Sequence, residues 1–363
     1  MKITKLEARF LRVPLKRPVS LPTSQDPKAT SHVDVVVVEL HAGSSVGLGY
    51  CTSFGGGGAI LKLLKDVVMP AVLDHDARRT EWLFEQTAAQ LAGVGFTGIA
   101  ASAYAAVDIA LWDWKGKEAN SPLWQLLGGY RTAVKPITVD VATPVLGVKQ
   151  SGKECTAALD SGSAGIQIEV GTMDPDLDYE RLKQLRDVIP DGAWFEINCG
   201  GRYDFATAIW LATVGTEELG LDGFADPLAP GDANYSRLVD RVDVGISAGA
   251  HSDSRVSLHA ALQRGGLEAL RLDPFRLGGI TPVRKLIHAA ELQQVSFTTV
   301  RCPELGVHLG CGSLLGRMCE HVDWLGELFV EPLHMKNGQL YAPSAAGLGL
   351  TLHEVNAGKW LVA

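Results

Sequence analysis

The hydrophobic pattern changes period twice along the chain. Near the start it alternates. "KITKLEARFLRV" reads as a strand, and "VDVVVVELHAG" is a β-branched run stopped by Gly43. Between them, "SLPTSQDPKATSH" is a polar loop containing proline. After the glycine run "SFGGGG", Ser53 to Gly58, the period lengthens. "AILKLLKDVVMPAVL", "RTEWLFEQTAAQLAG" and "ASAYAAVDIALWDWKGKEAN" predict three helices. In the last, Ala103, Ala106, Val107, Ala110, Leu111 and Trp114 form one apolar stripe.

From about Val134, short apolar runs alternate with amphipathic segments. The runs are "PITVDVA", "AGIQIEVG", "AWFEIN", "GFADP", "VGISAGA", "ALRLDPF" and "VSFTTV". "DYERLKQLRDVI" and "TPVRKLIHAAELQQ" are typical of the helical segments between them. Strand–helix units repeated seven or eight times predict a (β/α) barrel. The same rhythm also suits an open doubly wound sheet, and the number of units favours the barrel. The tail, "FVEPLHMKNGQLYAPSAAGLGLTLHEV", is turn-rich and β-like again, and is expected to pack back on the N-terminal part.

Composition narrows the function classes. The net charge of the 363 residues is −8 and no basic run occurs, which argues against nucleic acid. The six Cys residues show no C-x-x-C spacing, so they read as reduced thiols of a cytoplasmic protein. No apolar run of about 18 residues suggests a membrane span.

"ALWDWKGKEANSPLWQLLGGYR", "FRLGGITPVRKLIHAAE" and "NGQLYAPSAAGLGL" resemble landmarks of the enolase superfamily, most closely its mandelate racemase and muconate-lactonizing branch. The resemblance implies a modified (β/α)7β barrel with an N-terminal α+β capping domain. The expected divisions are a cap over 1–130, a barrel over 131–328, and a segment 329–363 returning to the cap. It also implies a site at the strands' C-terminal ends, where the family binds Mg²⁺ on three acidic residues. There the family removes a proton α to a carboxylate, with Lys or His bases alongside.

Carried onto this chain residue by residue, that pattern is broken. Strand two should end on a Lys pair, and Gln167 and Glu169 stand there. The three metal-ligand positions read Asn198, Ala225 and Ala250. Asp226 alternates to the face opposite Ala225 and is expected to bond a loop. Asp273 matches the Asp of an Asp–His dyad. The dyad His position reads Glu304, or Cys302 with a different gap, and His308 lies too far on. Mg²⁺ needs charged oxygen ligands to offset dehydration. The expectation is therefore no metal, unless Asp226 with Asn198 recreates a shifted site. Losing the metal removes several kcal/mol of transition-state stabilisation, and well-aimed neutral donors recover about 3 kcal/mol each.

The expected catalytic groups are Glu169, Asp273 and Glu304; Glu169 with Asp273 or Glu304 would form a pair of carboxylates across one cavity, whose repulsion raises one pKa. Gln167, Asn198, His251, Arg301, Ser24 and Tyr50 are candidate substrate contacts. His251 also reads as an ordinary hydrogen-bonded strand-end residue. The glycine run and the loop near Ser20–Ser24 would close over the substrate. The function expected is acid–base chemistry, isomerase or lyase, on a small carboxylate, sugar acid or lactone, in a homo-oligomer. A catalytically silent homologue that binds a small molecule or a protein is the competing reading.

Overall fold

The computed structural model describes residues 1–21, 28–171 and 174–363. Ser24 therefore lies outside the described residues. Three strands open the chain: β1 (Ile3–Leu21), β2 (Lys28–Ala42) and β3 (Ser45–Ser53). They form an antiparallel meander, with Gly43 at φ 64° turning β2 into β3. Helices Gly57–Leu63, Thr80–Gln90 and Gly98–Glu118 come next.

The Ala-rich pattern of Gly98–Glu118 has a packing reason. β3 lies almost on its backbone: a Cβ on Gly49 would come within 2.0 Å of the Ala106 carbonyl oxygen, and one on Gly47 within 2.1 Å of that of Ala110. Only glycine facing alanine permits this approach. Sixteen of the helix's 21 residues are buried, so the apolar stripe read from the sequence widens into a helix enclosed on nearly all sides.

Eight parallel strands then close into a barrel, in the order β4 (Ala133–Thr138), β5 (Gly165–Glu169), β6 (Trp194–Asn198), β7 (Gly223–Ala225), β8 (Gly245–Ala248), β9 (Ala269–Leu272), β10 (Ser296–Thr299) and β11 (Gly316–His321). β11 pairs with β4 to complete the ring. At least one helix lies between each strand and the next. The fold is thus α/β, a (β/α)7β barrel with an N-terminal capping unit. The eighth strand, "GRMCEH", escaped the hydrophobic pattern because it carries Arg317, Glu320 and His321 among few apolar residues. The tail returns on two fronts. Strands β12 (His334–Lys336) and β13 (Gln339–Tyr341) form a hairpin on β4, and the Phe10 amide donates to the Ala363 carbonyl at 2.6 Å.

The "ALWDW" landmark joins these parts. Asp108 accepts from the Thr281 amide (2.8 Å), and the Trp112 indole donates to the Thr281 hydroxyl (2.9 Å). Asp113 accepts from Leu48 and Leu348 amides, both at 2.7 Å. Burial pushes Asp108 up to about 7. All six cysteines are buried free thiols. Among the described residues no helix is long and apolar enough to cross a membrane.

Asp113→Ala strands two buried amides at about 1–3 kcal/mol each. It should lower the urea midpoint clearly. Lys117→Ala, which removes the 2.7 Å ammonium contact to Asp113 and the 2.9 Å bond to the Val46 carbonyl from the partly exposed side, should lower it less. Equal losses in the two variants would assign the stabilisation to the ion pair instead.

Candidate active site

Strand parity sends every second side chain into the barrel. On β9 that side chain is Arg271, a guanidinium only 1% exposed. It pairs with Asp226 (2.8 Å), Glu196 (3.2 Å) and Glu320. A cation this deep persists only because carboxylates surround it. Gln167 donates to Glu196 and Glu320, and accepts from Asn198 Nδ2 at 3.0 Å. The Asn198 carbonyl oxygen accepts from the Gly200 amide at 2.9 Å. A layer of amides and ion pairs therefore closes the barrel just below its mouth.

Above this layer lies the mouth. Three residues at or just beyond strand ends hold left-handed backbone without being glycine: Asp140 (φ 60°), Asp226 (φ 42°) and Arg301 (φ 55°). Such strain collects where surrounding structure over-determines a functional geometry. Asp140 comes shortly after β4, and its Oδ2 is buried without a hydrogen-bond partner among the described residues. Burial pushes its pKa up to about 6, against the pull of Arg301. Arg181 staples the neighbouring loops, donating to the Glu169 and Ala142 carbonyls, both at 2.6 Å. Beside the mouth, a cleft of about 430 Å³ is lined by Thr52, Ser53, Phe54, Ser102 and Trp324 together with Asp273, Arg276 and Arg301.

The expected site residues divide between these regions. Glu169 ends β5 at the mouth, but its partner is Arg202 (2.9 Å), not a second carboxylate. Asp273 accepts from the Phe275 and Arg276 amides at 2.9 and 3.2 Å and lies 3.7 Å from the Arg276 guanidinium; burial raises its pKa. Glu304 is not at a strand end. It sits in helix Pro303–Gly312, buried, with the Tyr50 hydroxyl donating to it at 3.2 Å, and burial raises it to about 7. In place of the expected pair of mutually repelling carboxylates, Glu169 with Asp273 or Glu304, stand separately partnered acids. Tyr50 is fully buried against Phe275 and Phe329, so it does not face the cleft. Gln167 and Asn198, 5% and 6% exposed, are locked into the layer beneath the mouth. Cys302 is buried ahead of the same helix, and the charged residue that strand seven presents is Arg301.

Two further expectations change. Asp226 does bond a loop, accepting from the Gly249 amide at 2.7 Å, but its left-handed backbone also turns it inward onto Arg271. His251 is not hydrogen-bonded to any described residue. Burial first, then the guanidinium groups of Arg301, Arg276, Arg271 and Arg202, lower it to about 3. Its Nε2 and the Arg202 guanidinium flank one point beside Gly200, 3.6 and 3.4 Å from where a Cβ would stand. His308 is structural: it accepts from the Trp124 amide (3.2 Å) and donates to the Leu348 carbonyl (3.0 Å).

Asp140, Glu196, Arg202, Arg271 and Glu320 went unread in the sequence. Parity offered a signal for two of them. Glu196 and Arg271 each precede a recognised strand-end residue by two positions, and so share its inward face.

A parallel barrel of this connectivity, capped by an α+β unit and carrying its charged groups at the strands' C-terminal ends, defines an enolase-type protein. The model described as "Enolase C-terminal domain-like" matches residues 150–356. "Mandelate racemase / muconate lactonizing enzyme, N-terminal domain" matches residues 7–128. The chain belongs to the enolase superfamily, in its mandelate racemase / muconate lactonizing enzyme branch. It is similar to the L-talarate/galactarate dehydratase of Salmonella typhimurium, at 27% identity over 98% of this chain and 89% of that one. It is also similar to the 3,6-anhydro-alpha-L-galactonate cycloisomerase of Streptomyces coelicolor, at 28% identity over 99% of both chains. The L-talarate dehydratase of Polaromonas sp. JS666, solved with Mg and L-glucarate, superposes with a TM-score of 0.92 at 27% identity, covering 100% of this chain and 98% of that one.

Arg271→Met would leave three buried carboxylates without their cation, at a cost of about 3–5 kcal/mol. Glu196, whose pKa burial already raises, would bind its proton more tightly folded than unfolded. The folded state then holds more protons, so the variant should regain stability as pH falls from about 8 to about 5. Denaturation midpoints across that range check the sign.

Proposed function

We propose that the chain is an enzyme acting on a small sugar acid by acid–base chemistry at the barrel mouth, without a divalent cation. One observation carries this reading: Asp140, whose Oδ2 has no hydrogen-bond partner among the described residues, and Arg301, whose guanidinium forms no hydrogen bond or ion pair with them, lie within electrostatic reach of each other and of Glu169. The similarity to sugar-acid dehydratases and a cycloisomerase supports the substrate class.

The residues present do not fit a Mg²⁺ ion at the family's usual place. Ala225 and Ala250 bring no donor, and both ends of the Asn198 amide are already engaged. The nearby carboxylates Glu196, Asp226 and Glu320 hold a guanidinium instead. Among the described residues no group of three or more His, Cys, Asp or Glu side chains is placed to hold a metal. The chemistry proposed for the mouth uses protein groups alone.

In this reading the substrate carboxylate docks on Arg301, and Glu169 removes the proton from the adjacent carbon. The charge that develops on the carboxylate oxygens is stabilised by the Arg301 guanidinium. Asp140, raised to about 6, gives its proton to the departing hydroxyl. Loss of water from an acid bearing hydroxyls on adjacent carbons leaves an enol that becomes a 2-keto acid. A second reading, a sugar-acid-binding protein without turnover, is favoured by one feature: the Gln167–Asn198 lock holds both amides in the buried layer beneath the mouth.

Turnover of a panel of sugar acids should survive EDTA; abolition by EDTA and restoration by Mg²⁺ would overturn the metal-free mechanism. Glu169→Gln should lower kcat by about 10²–10⁴-fold, the usual range for a lost proton-transfer group. An unchanged kcat would place the base elsewhere. Asp140 acts protonated, so kcat/KM should fall as pH rises through about 6. Asp140→Asn should flatten that limb while lowering kcat.

A further inference from the structure

The floor of the barrel, at the strands' N-terminal ends, is hollow. Barrels of this kind normally fill their inward positions with branched side chains. Here the inward residues that open β7, β8, β9 and β10 are Gly223, Gly245, Ala269 and Ser296. They leave a cavity of about 380 Å³, which shares no lining residue with the cleft at the mouth. The charges around it are sorted by side. Lys135 on β4 and Arg317 on β11 form no side-chain hydrogen bond or ion pair with the described residues. Arg131, just ahead of β4, donates to the Leu314 carbonyl at 2.6 Å, and its Nε is buried without a partner among the described residues. Across the ring, two carboxylates lie over a glycine pair. Gly223 and Gly245 are register partners. A Cβ on Gly223 would come within 2.8 Å of Glu196 Oε2, and one on Gly245 would collide with the Glu268 carboxylate. Glu196 already shares Arg271 at 3.2 Å, but the Glu268 carboxylate has no hydrogen bond or ion pair with the described residues. In the closed ring of eight, β4 and β11 stand four strands from β8 and β7. No ion pair among the described residues spans the hollow between them. Ser247, 8% exposed and two residues after Gly245, adds a hydroxyl without a partner among the described residues.

We infer that the barrel floor is a binding site for a small zwitterion, a free amino acid, with its carboxylate on Lys135 and Arg317 and its ammonium on Glu268. A simple anion would answer the cations and leave Glu268 facing it. A simple cation would answer Glu268 and leave Lys135 and Arg317 facing it. A molecule carrying both charges pairs with each side at hydrogen-bond range, where charge-assisted bonds are strongest. Arg317 offers a planar fork and Lys135 a point charge, and both suit a carboxylate. Between the two sides, Ser247 and Ser296 line the cavity with hydroxyls. The volume lies within the range of small-molecule sites. The site stands at the end of the barrel opposite the mouth, and it depends on no step of the chemistry proposed there.

The test is calorimetric binding to the full chain of glycine, 4-aminobutyrate and 6-aminohexanoate, which set the two charges at increasing separations. Each is compared with the acid and the amine that lack its other charge: acetate and methylamine, butyrate and butylamine, hexanoate and hexylamine. At least one zwitterion should bind about tenfold or more tightly than both of its singly charged counterparts, the worth of one charge-assisted hydrogen bond. Glu268→Gln and Lys135→Met, both at exposed positions, should each weaken that zwitterion by about 10- to 100-fold. Ala269→Leu, which fills the hollow and removes no charge, should abolish binding, with an unchanged circular dichroism spectrum confirming the fold. Arg301→Met, at the other end of the barrel, should leave the affinity as it was. No binding by any zwitterion of the set, a singly charged counterpart that binds as tightly, or undiminished affinity in both Glu268→Gln and Lys135→Met would overturn the inference. Affinity lost in Arg301→Met and kept in Ala269→Leu would also overturn it, by placing the ligand at the mouth.

Discussion

A guanidinium in the middle of the barrel sets the terms for everything above it. Arg271 is nearly inaccessible to water, and it persists because Glu196 on β6, Asp226 just past β7 and Glu320 on β11 converge on it. Neutralising one deep cation this way costs the barrel its loose carboxylates. Those remaining at the mouth then act singly, each with its own partner or none. The positive charge at the centre of the barrel is thus covalently part of the protein.

The fold was legible because it depends on period. Alternation, helical stripes and a repeated strand–helix rhythm arise from which faces must be dry, and each appears in the residue order. The landmark "ALWDW" was legible as a likeness, and its chemistry emerges only in space. Asp108 and Asp113 meet partners 173 and 235 residues away. The eighth strand was missed because Arg317, the inward Glu320 and His321 look like surface residues in a linear pattern. The charge of Glu320 becomes intelligible only when the ring closes and brings it to Arg271.

The site was legible by position and not by partnership. Glu169, Asn198 and Asp273 lie near the strand ends where the resemblance put them, but the sequence could not say what each touches. Glu304 slipped from the mouth into a helix because β10 ends at Thr299 and the chain turns before reaching it. Asp140 was unread because its part depends on a left-handed backbone and on a buried oxygen left without a donor. Neither property has a residue-level signature. Asp226 shows the same limit, since a single positive φ reversed the face that alternation assigned to it.

The bonds between the capping helix and the rest have a kinetic meaning. Asp108 and Trp112 fasten the helix to Thr281 at the base of a barrel helix, and Asp113 fastens it to both the cap sheet and the tail. A cap tied down at such points does not swing on a hinge. Admission to the cleft is therefore a matter of short segments, chiefly the Thr52–Phe54 stretch ahead of its glycines. Gly55 and Gly56 both hold positive φ, and a Cβ on Gly55 would meet nothing within 4 Å. Loop segments of this kind move on nanosecond-to-microsecond timescales, faster than whole domains open.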